Sequence, residues 1–334
     1  MQPVKNPFAR VFIYLVLTLF VGWSLIPLIW TFLQSFKTVL DANTFPPLLI
    51  FTPTFDNYEH LWLNKLPDTF PPQLLTVLAI LVVLVLVAIF VRNFPFPRAV
   101  LYWGMIGLVA LTLWLIPQVL SMAEFYGYFV NTLIITAGTV AISISLGCLA
   151  GYGLARFAGL DGVIVLVTAL AFRALPRMAF VLPYYWLGSM TGLRDTYFLV
   201  IICLVAVNQP FTIWMLRSFF MDIPREIEEA AMMDGAGRLE SFLKVIIPIT
   251  WPGIISTALF TVLLAYNEFM LVLVLTQSNW TLPVAMAQFT SGEDPGYITM
   301  ASAAAISATI PIVILIIFFQ KQLVKGLAAG AVKG

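Results

Sequence analysis

The sequence predicts an all-α protein, a polytopic bundle of about eight transmembrane helices with both termini in the cytoplasm. Three observations carry this. Of 334 residues, 61% are hydrophobic and only 10% are charged, and the mean hydropathy is +0.99. Soluble domains run at about 45–50% apolar and about a quarter charged. The apolar residues fall into runs long enough to cross a bilayer, which takes roughly 20 residues. The basic residues between those runs are unevenly distributed.

The elements follow in order. The first run, about 11–33, comes after Lys5 and Arg10. It is longer than the apolar part of a cleaved leader and no small-x-small site follows it, so it reads as a retained membrane helix. A loop over 34–72, rich in Pro and aromatics, comes next. Runs at about 73–91 and 99–121 form a hydrophobic pair, and further runs follow at about 128–154, 162–187, 196–218, 252–276 and 298–320. In hydrocarbon every backbone polar group must be paired within its own segment, so runs of this length become helices. Strands of a membrane barrel would be short and alternating, and these are neither. Between the sixth and seventh runs lies a second long connection, 219–251. The Gly/Ala-rich tail from Gly326 is expected to be flexible on its own.

Orientation follows from Lys and Arg in the connections. With the N-terminus inside, the inner segments hold twelve of the seventeen and the outer ones three, Lys37, Lys65 and Arg194. Arg173 and Arg177 fall within a span. Loop 34–72 is then extracytoplasmic and 219–251 cytoplasmic.

Composition also excludes. A net charge of +1 provides no basic excess for nucleic acid. Cys148 and Cys203 both sit in apolar runs and make neither a disulfide framework nor a metal pair. His60 is the single histidine, which removes most zinc and His-dependent chemistry. No Gly-Lys dipeptide occurs, so a phosphate-cradling nucleotide loop is missing.

The inner connection has its own pattern. Asp222 is placed to cap a helix whose first turn holds Pro224. Glu226, Glu228 and Glu229 then lie near the positive end of its dipole. Arg225 and Glu229 can face each other, as can Glu240 and Lys244. Gly235 and Gly237 interrupt the helix, and a second one is expected to run to Ile247 and stop before Pro248. The face at Ala230 and Ala231 is nearly bare, which suits close approach by another protein. A surface helix lying on lipid fits the composition equally well.

Here a resemblance enters. Glu229-Ala230-Ala231, three residues, Gly235, nine residues, then Val245-x-Ile247-Pro248 resembles the EAA signature of ABC importer permeases, which usually ends Ile-x-Leu-Pro. Phe219-Phe220 with Ile223-Pro224 and Asp234-Gly235-Ala236 resemble its flanks. Phe129-x-Asn131-Thr132-Leu133 resembles the start of that family's transmembrane core. Tyr266-Asn267-Glu268-Phe269 is similar to its Trp-Asn-Glu-Phe. The ending Gly330 to Gly334 is similar to the maltose-permease-like, carbohydrate-importing branch. The match covers Asn131 to Gly334 well and the first span with Asp56-Asn57-Tyr58 more loosely.

The resemblance implies a single transmembrane permease domain over 1–334, with a type I ABC importer permease-like core at 128–320. Family members commonly have six spans, so 73–121 is an extra transmembrane hairpin. It implies an ATPase-docking loop at 219–251, with Glu229, Ala230, Ala231, Asp234 and Gly235 as the contact. It further implies a non-catalytic chain with no cofactor of its own, with ATP and Mg held by a dimer of partner ATPase subunits. A second permease subunit, an extracytoplasmic solute-binding protein and membrane lipid complete the partners. The setting is the bacterial or archaeal plasma (inner) membrane, and the solute a sugar, a polyol or a sugar or glycerol phosphate.

Ionisable groups inside a membrane are costly and so are candidates for function. Arg173 and Arg177 flank Pro176, which is placed to break its helix. Asn208 and Gln209 precede Pro210, and Asn267 and Glu268 lie within the seventh run. They read either as a polar solute pathway or as bonds that hold the bundle, an Arg–Glu pair among them. The competing class is a secondary transporter or channel using these charges for ion coupling. A membrane-embedded enzyme is disfavoured by the single histidine and the shortage of clustered carboxylates.

Overall fold

A computed structural model describes residues 7–63, 98–119, 122–157, 159–290 and 296–331. The expected span at 73–91, Lys65 and the last three residues lie outside them. Apart from one isolated β-bridge, Leu63 to Met122, the described residues form helices and their connections. The chain is a polytopic membrane protein whose described residues are helical and hold five to six candidate spans.

The helices are α1 (Pro7–Ser35), α2 (Val39–Ala42), α3 (Asp56–Trp62), α4 (Arg98–Val119), α5 (Glu124–Arg156), α6 (Leu160–Arg173), α7 (Met178–Thr191), α8 (Tyr197–Met221), α9 (Arg225–Met233), α10 (Arg238–Ser241), α11 (Ile247–Tyr266), α12 (Met270–Leu275), α13 (Leu282–Thr290) and α14 (Tyr297–Ala331). Five expected spans are met by helices long and apolar enough to cross: Phe8–Ser35, Glu124–Arg156, Tyr197–Met221, Arg238–Tyr266 and Tyr297–Leu323. α4 stands at the expected 99–121.

The break placed at Pro176 is found within the run 162–187: α6 and α7 meet at a bend of 93°. Pro176 has no N–H to continue the ladder, and Ala174 and Leu175 close onto carbonyls three residues back instead. Likewise 252–276 is interrupted. α11 ends at Tyr266, and Asn267 to Phe269 precede the short α12. Asn267 and Glu268 therefore lie at a break, not in mid-helix.

The described chain falls into two compact units. In the first, 1–127 with 286–309, the connection after α1 is fixed by polar and aromatic contacts. The Asn57 amide donates to the Ser35 and Lys37 carbonyls at 3.0 and 2.9 Å. Lys37, 1% exposed, places its ammonium 4.8 Å from the centre of the Trp30 ring and 5.3 Å from that of Phe51.

The second unit, 128–285 with 310–334, has two apolar cores. One gathers Ile135, Val181, Leu199, Val200, Leu204 and Leu271 with their neighbours. The other gathers Cys148, Tyr152, Leu216, Phe220, Phe242 and Ile246 with theirs. Between these cores α5 and α8 also bury polar residues, and Thr139, Ser143, Asn208 and Thr212 are fully buried. α5 and α8 approach closely at Gly147 and Gly151. A Cβ at Gly147 would lie 2.8 Å from Thr212 Cγ2, and one at Gly151 would lie 3.1 Å from the Arg217 amide nitrogen. Small residues four apart are what permit such an approach between membrane helices.

Candidate functional site

α8 stops where Pro224 disfavours helical backbone at the residue before it. Asp222 is still in helical conformation as the last cap of α8. It is Pro224, with extended ψ, that caps α9, which corrects the expected role of Asp222. Pro suits this place because the first amides of a helix have no partner within it. Glu226 and Glu228 then occupy the first turn. The end of α9 is set by Gly235 at φ +92°, a conformation that glycine adopts without a Cβ penalty.

The second helix does not stop before Pro248. From Arg238 it continues through a wide π turn, Phe242–Ile246, straight into α11. The Ile247 amide bonds to the Phe242 carbonyl, five residues back, and the widened turn accommodates the Pro248 ring without a break. α10 and α11 thus belong to one 29-residue rod.

The faces of α9 divide sharply. Glu229 and Ala230 are exposed, Ala231 is half-buried, and Asp234 and Gly235 are exposed. Glu228 is turned the other way and is 7% exposed. Its carboxylate accepts the Tyr152 hydroxyl and the Arg156 Nε at 2.9 Å. Arg156 also donates to the Ile223 carbonyl at 3.1 Å, and its own carbonyl accepts from Arg225 at 3.2 Å. Arg225 is therefore spent on α5, and among the described residues no salt bridge joins it to Glu229. Glu240 and Lys244 do pair, at 2.6 Å. Arg156, Phe157, Arg225, Glu228, Glu229, Met232 and Arg238 line a cleft of about 210 Å³.

The polar residues expected within the membrane separate into four environments. Arg177 donates to Glu268 at 2.6 Å, and the other Glu268 oxygen accepts the Leu271 amide at 3.2 Å, capping α12. Arg173 lies over the Phe211 ring at 4.7 Å instead of reaching that carboxylate. Asn208 is fully buried with both amide atoms unpartnered, while Gln209 donates to the Ser143 carbonyl at 3.2 Å. Asn267 turns back onto its own helix, donating to the Leu263 carbonyl.

The sequence reading singled out neither Tyr152 nor Arg156 as a site residue and treated Glu228 only as a partner of the helix dipole. It also missed Asp195. This residue sits at φ +59°, and its carboxylate accepts the amides of Gln277 and Ser278 at 2.8 and 3.0 Å and the Ser278 hydroxyl. Burial pushes this carboxyl up, but the donors from Ser278, Gln277 and Asn279 outweigh that and hold it below the usual carboxylate range. Asn131, at the start of α5, donates to the Trp280 carbonyl at 3.0 Å and accepts the Tyr197 hydroxyl at 2.7 Å. Thr132 accepts the Leu282 amide at 2.9 Å. Among the described residues no group of His, Cys, Asp or Glu could hold a metal ion, and both cysteines are free and buried.

Residues 143–329 match the family described as binding-protein-dependent transport system inner membrane component. The trehalose transport system permease protein SugB of Mycobacterium tuberculosis is 30% identical over 326 residues, covering 95% of both chains. The trehalose/maltose transport system permease protein MalG of Thermococcus litoralis is 34% identical over 215 residues, covering 63% of this chain and 77% of its own. Among solved structures, a bacterial ABC transporter involved in importing the acidic polysaccharide alginate shares the fold. Its TM-score is 0.65 at 19% identity, covering 96% of this chain and 99% of that one.

Proposed function

Since the chain belongs to the binding-protein-dependent inner membrane components, the non-catalytic permease subunits of ABC importers, we propose that it carries a sugar or related polar solute inward, driven by a separate ATPase dimer. The carbohydrate reading is supported by the relatives, whose names specify trehalose and maltose. A second permease subunit would complete the pathway, and an extracytoplasmic solute-binding protein would deliver the solute. ATP and Mg would be held by the ATPase subunits. The twelve-to-three distribution of basic residues supports a cytoplasmic location for both termini and the segment 219–251.

The observation that carries the docking assignment is the two-faced α9. A carboxylate, an alanine and a left-handed glycine are exposed at Glu229, Ala230 and Gly235, with Ala231 half-buried beside them, while the helix is fixed from beneath by Glu228. A bare, rigid patch of this kind lets a partner's groove come close. Movement of that groove with ATP binding and hydrolysis would then bias the permease pair between outward-open and inward-open states. The ion-coupled alternative loses support from Glu268, whose two oxygens are already engaged by Arg177 and the Leu271 amide.

The test is co-purification. Ala231→Trp should lower the ATPase retained on the permease pair by about tenfold, while the binding protein, which acts on the other side, still binds. Full retention together with full transport would contradict the docking assignment.

A further inference from the structure

We propose that Tyr152, Arg156 and Glu228 form the positioning element that locks α9 to α5, so that displacement of the docking helix moves the whole of α5. The inference rests on the docking reading above and adds the path by which the motion leaves the docking helix.

α9 has nine residues, too few to hold a helix in water unaided. Its position therefore depends on what it is fixed to. Arg156, the last residue of α5, engages it from three directions. The guanidinium meets the Glu228 carboxylate in the first turn of α9 and the Ile223 carbonyl just before it, and the Arg156 carbonyl accepts from Arg225 at the start of the same turn. Tyr152, one turn earlier on α5, adds its hydroxyl to the same carboxylate. Its ring packs against Phe242 and Phe220, with centroids 4.5 and 5.9 Å apart. The Arg156 and Glu228 side chains are only 6% and 9% exposed. In so dry a setting charged hydrogen bonds are strong and directional, whereas apolar contacts slide.

α5 has the reach to transmit this motion. Its 33 residues span about 50 Å at about 1.5 Å per residue. Its first turns hold Asn131 and Thr132, bonded to the Trp280 carbonyl and the Leu282 amide. One rigid rod thus links the docking helix to the segment 280–282. Neighbouring glutamates divide the work: Glu229 faces outward to the ATPase and Glu228 inward to α5.

The experiment uses the assembled importer in liposomes. A single reporter, Ser189→Cys, occupies an exposed position near the end of α7, and its maleimide labelling rate is compared with and without Mg-ATP plus vanadate. With Glu228 and Arg156 intact, trapping the nucleotide should change the rate by about threefold or more. In Glu228→Ala that change, compared at equal amounts of bound ATPase, should fall to about a third or less. The exchange Arg156→Glu with Glu228→Arg should restore it, which a merely space-filling role would not produce. If Glu228→Ala does not assemble, Tyr152→Phe keeps the ring, removes one bond and should at least halve the response. A full response in Glu228→Ala, or in Tyr152→Phe where that variant decides, overturns the proposal, as does an exchange that restores nothing. Ala231→Trp separates the two readings. If it still assembles and responds, the docking assignment fails. If it loses the ATPase while Glu228→Ala responds fully, only this inference fails.

Discussion

Arg177 and Glu268 join two helix breaks. Arg177 caps the start of α7, just past the 93° bend, and Glu268 lies between α11 and α12; their 2.6 Å ion pair ties the one discontinuity to the other. Both are places where Pro176 or the end of α11 frees backbone groups, and the pair fixes their geometry.

Glu268→Ala should therefore destabilise the protein more than Glu268→Gln, since alanine removes both the partner of Arg177 and the acceptor for the Leu271 amide. Breaking a fully buried pair costs about 3–5 kcal/mol. The Arg177 side chain is 35% exposed and can recover some hydration, so about 2–3 kcal/mol is expected for alanine and about 1 kcal/mol for glutamine. Thermal unfolding in detergent measures both. Uptake by Glu268→Gln should also be indifferent to uncouplers at constant ATP. Uptake that collapses with the proton gradient would favour ion coupling.

Asn208 is fully buried and its amide has no partner among the described residues. An unsatisfied buried polar group costs about 1–3 kcal/mol. Asn208→Leu should accordingly raise thermal stability by about that amount and lower transport, because residues that break local rules are concentrated where function needs them. A variant both less stable and fully active would show that the amide is structural.

Asp195 makes a pH-dependent clip. Its folded pKa is depressed, so its contribution is fully present above the ordinary carboxylate value near 4 and is lost as pH falls through the folded value. Hydrogen exchange at the Gln277 and Ser278 amides should be slow at neutral pH and accelerate, beyond the intrinsic pH trend, only below about pH 4. Asp195→Ala should show the fast behaviour already at neutral pH. Equal protection in the variant would remove the clip.

The long helices were legible because runs of apolar residues at this density leave the backbone no other solution. α9 was legible too, from its glutamates, bare alanines and terminating Gly235. Where it begins was not, because Asp222 is a good capping residue in isolation, yet it keeps helical conformation at the end of α8 and Pro224 takes the cap. The 93° bend was only half legible. Pro176 announced a break, but the angle is set by what α7 packs against. Glu228 was hidden among three glutamates that look alike in sequence. Its inward turn is set by a buried cation on α5 that no spacing within α9 announces. Arg156 supplied that cation, yet in sequence it counted only as one of the basic residues that orient the chain. The extension through Pro248 was illegible, since a π turn leaves no compositional mark.

The central claim, that this chain passes the work of a separate ATPase to a solute pathway, is tested most directly by ATP hydrolysis in the reconstituted complex. Rates are compared with and without the solute-loaded binding protein on the opposite face. Two sites that bias the same pair of states must influence each other, so loading should raise hydrolysis by about fivefold or more. Hydrolysis indifferent to the loaded binding protein, with no uptake in the same liposomes, would contradict the account.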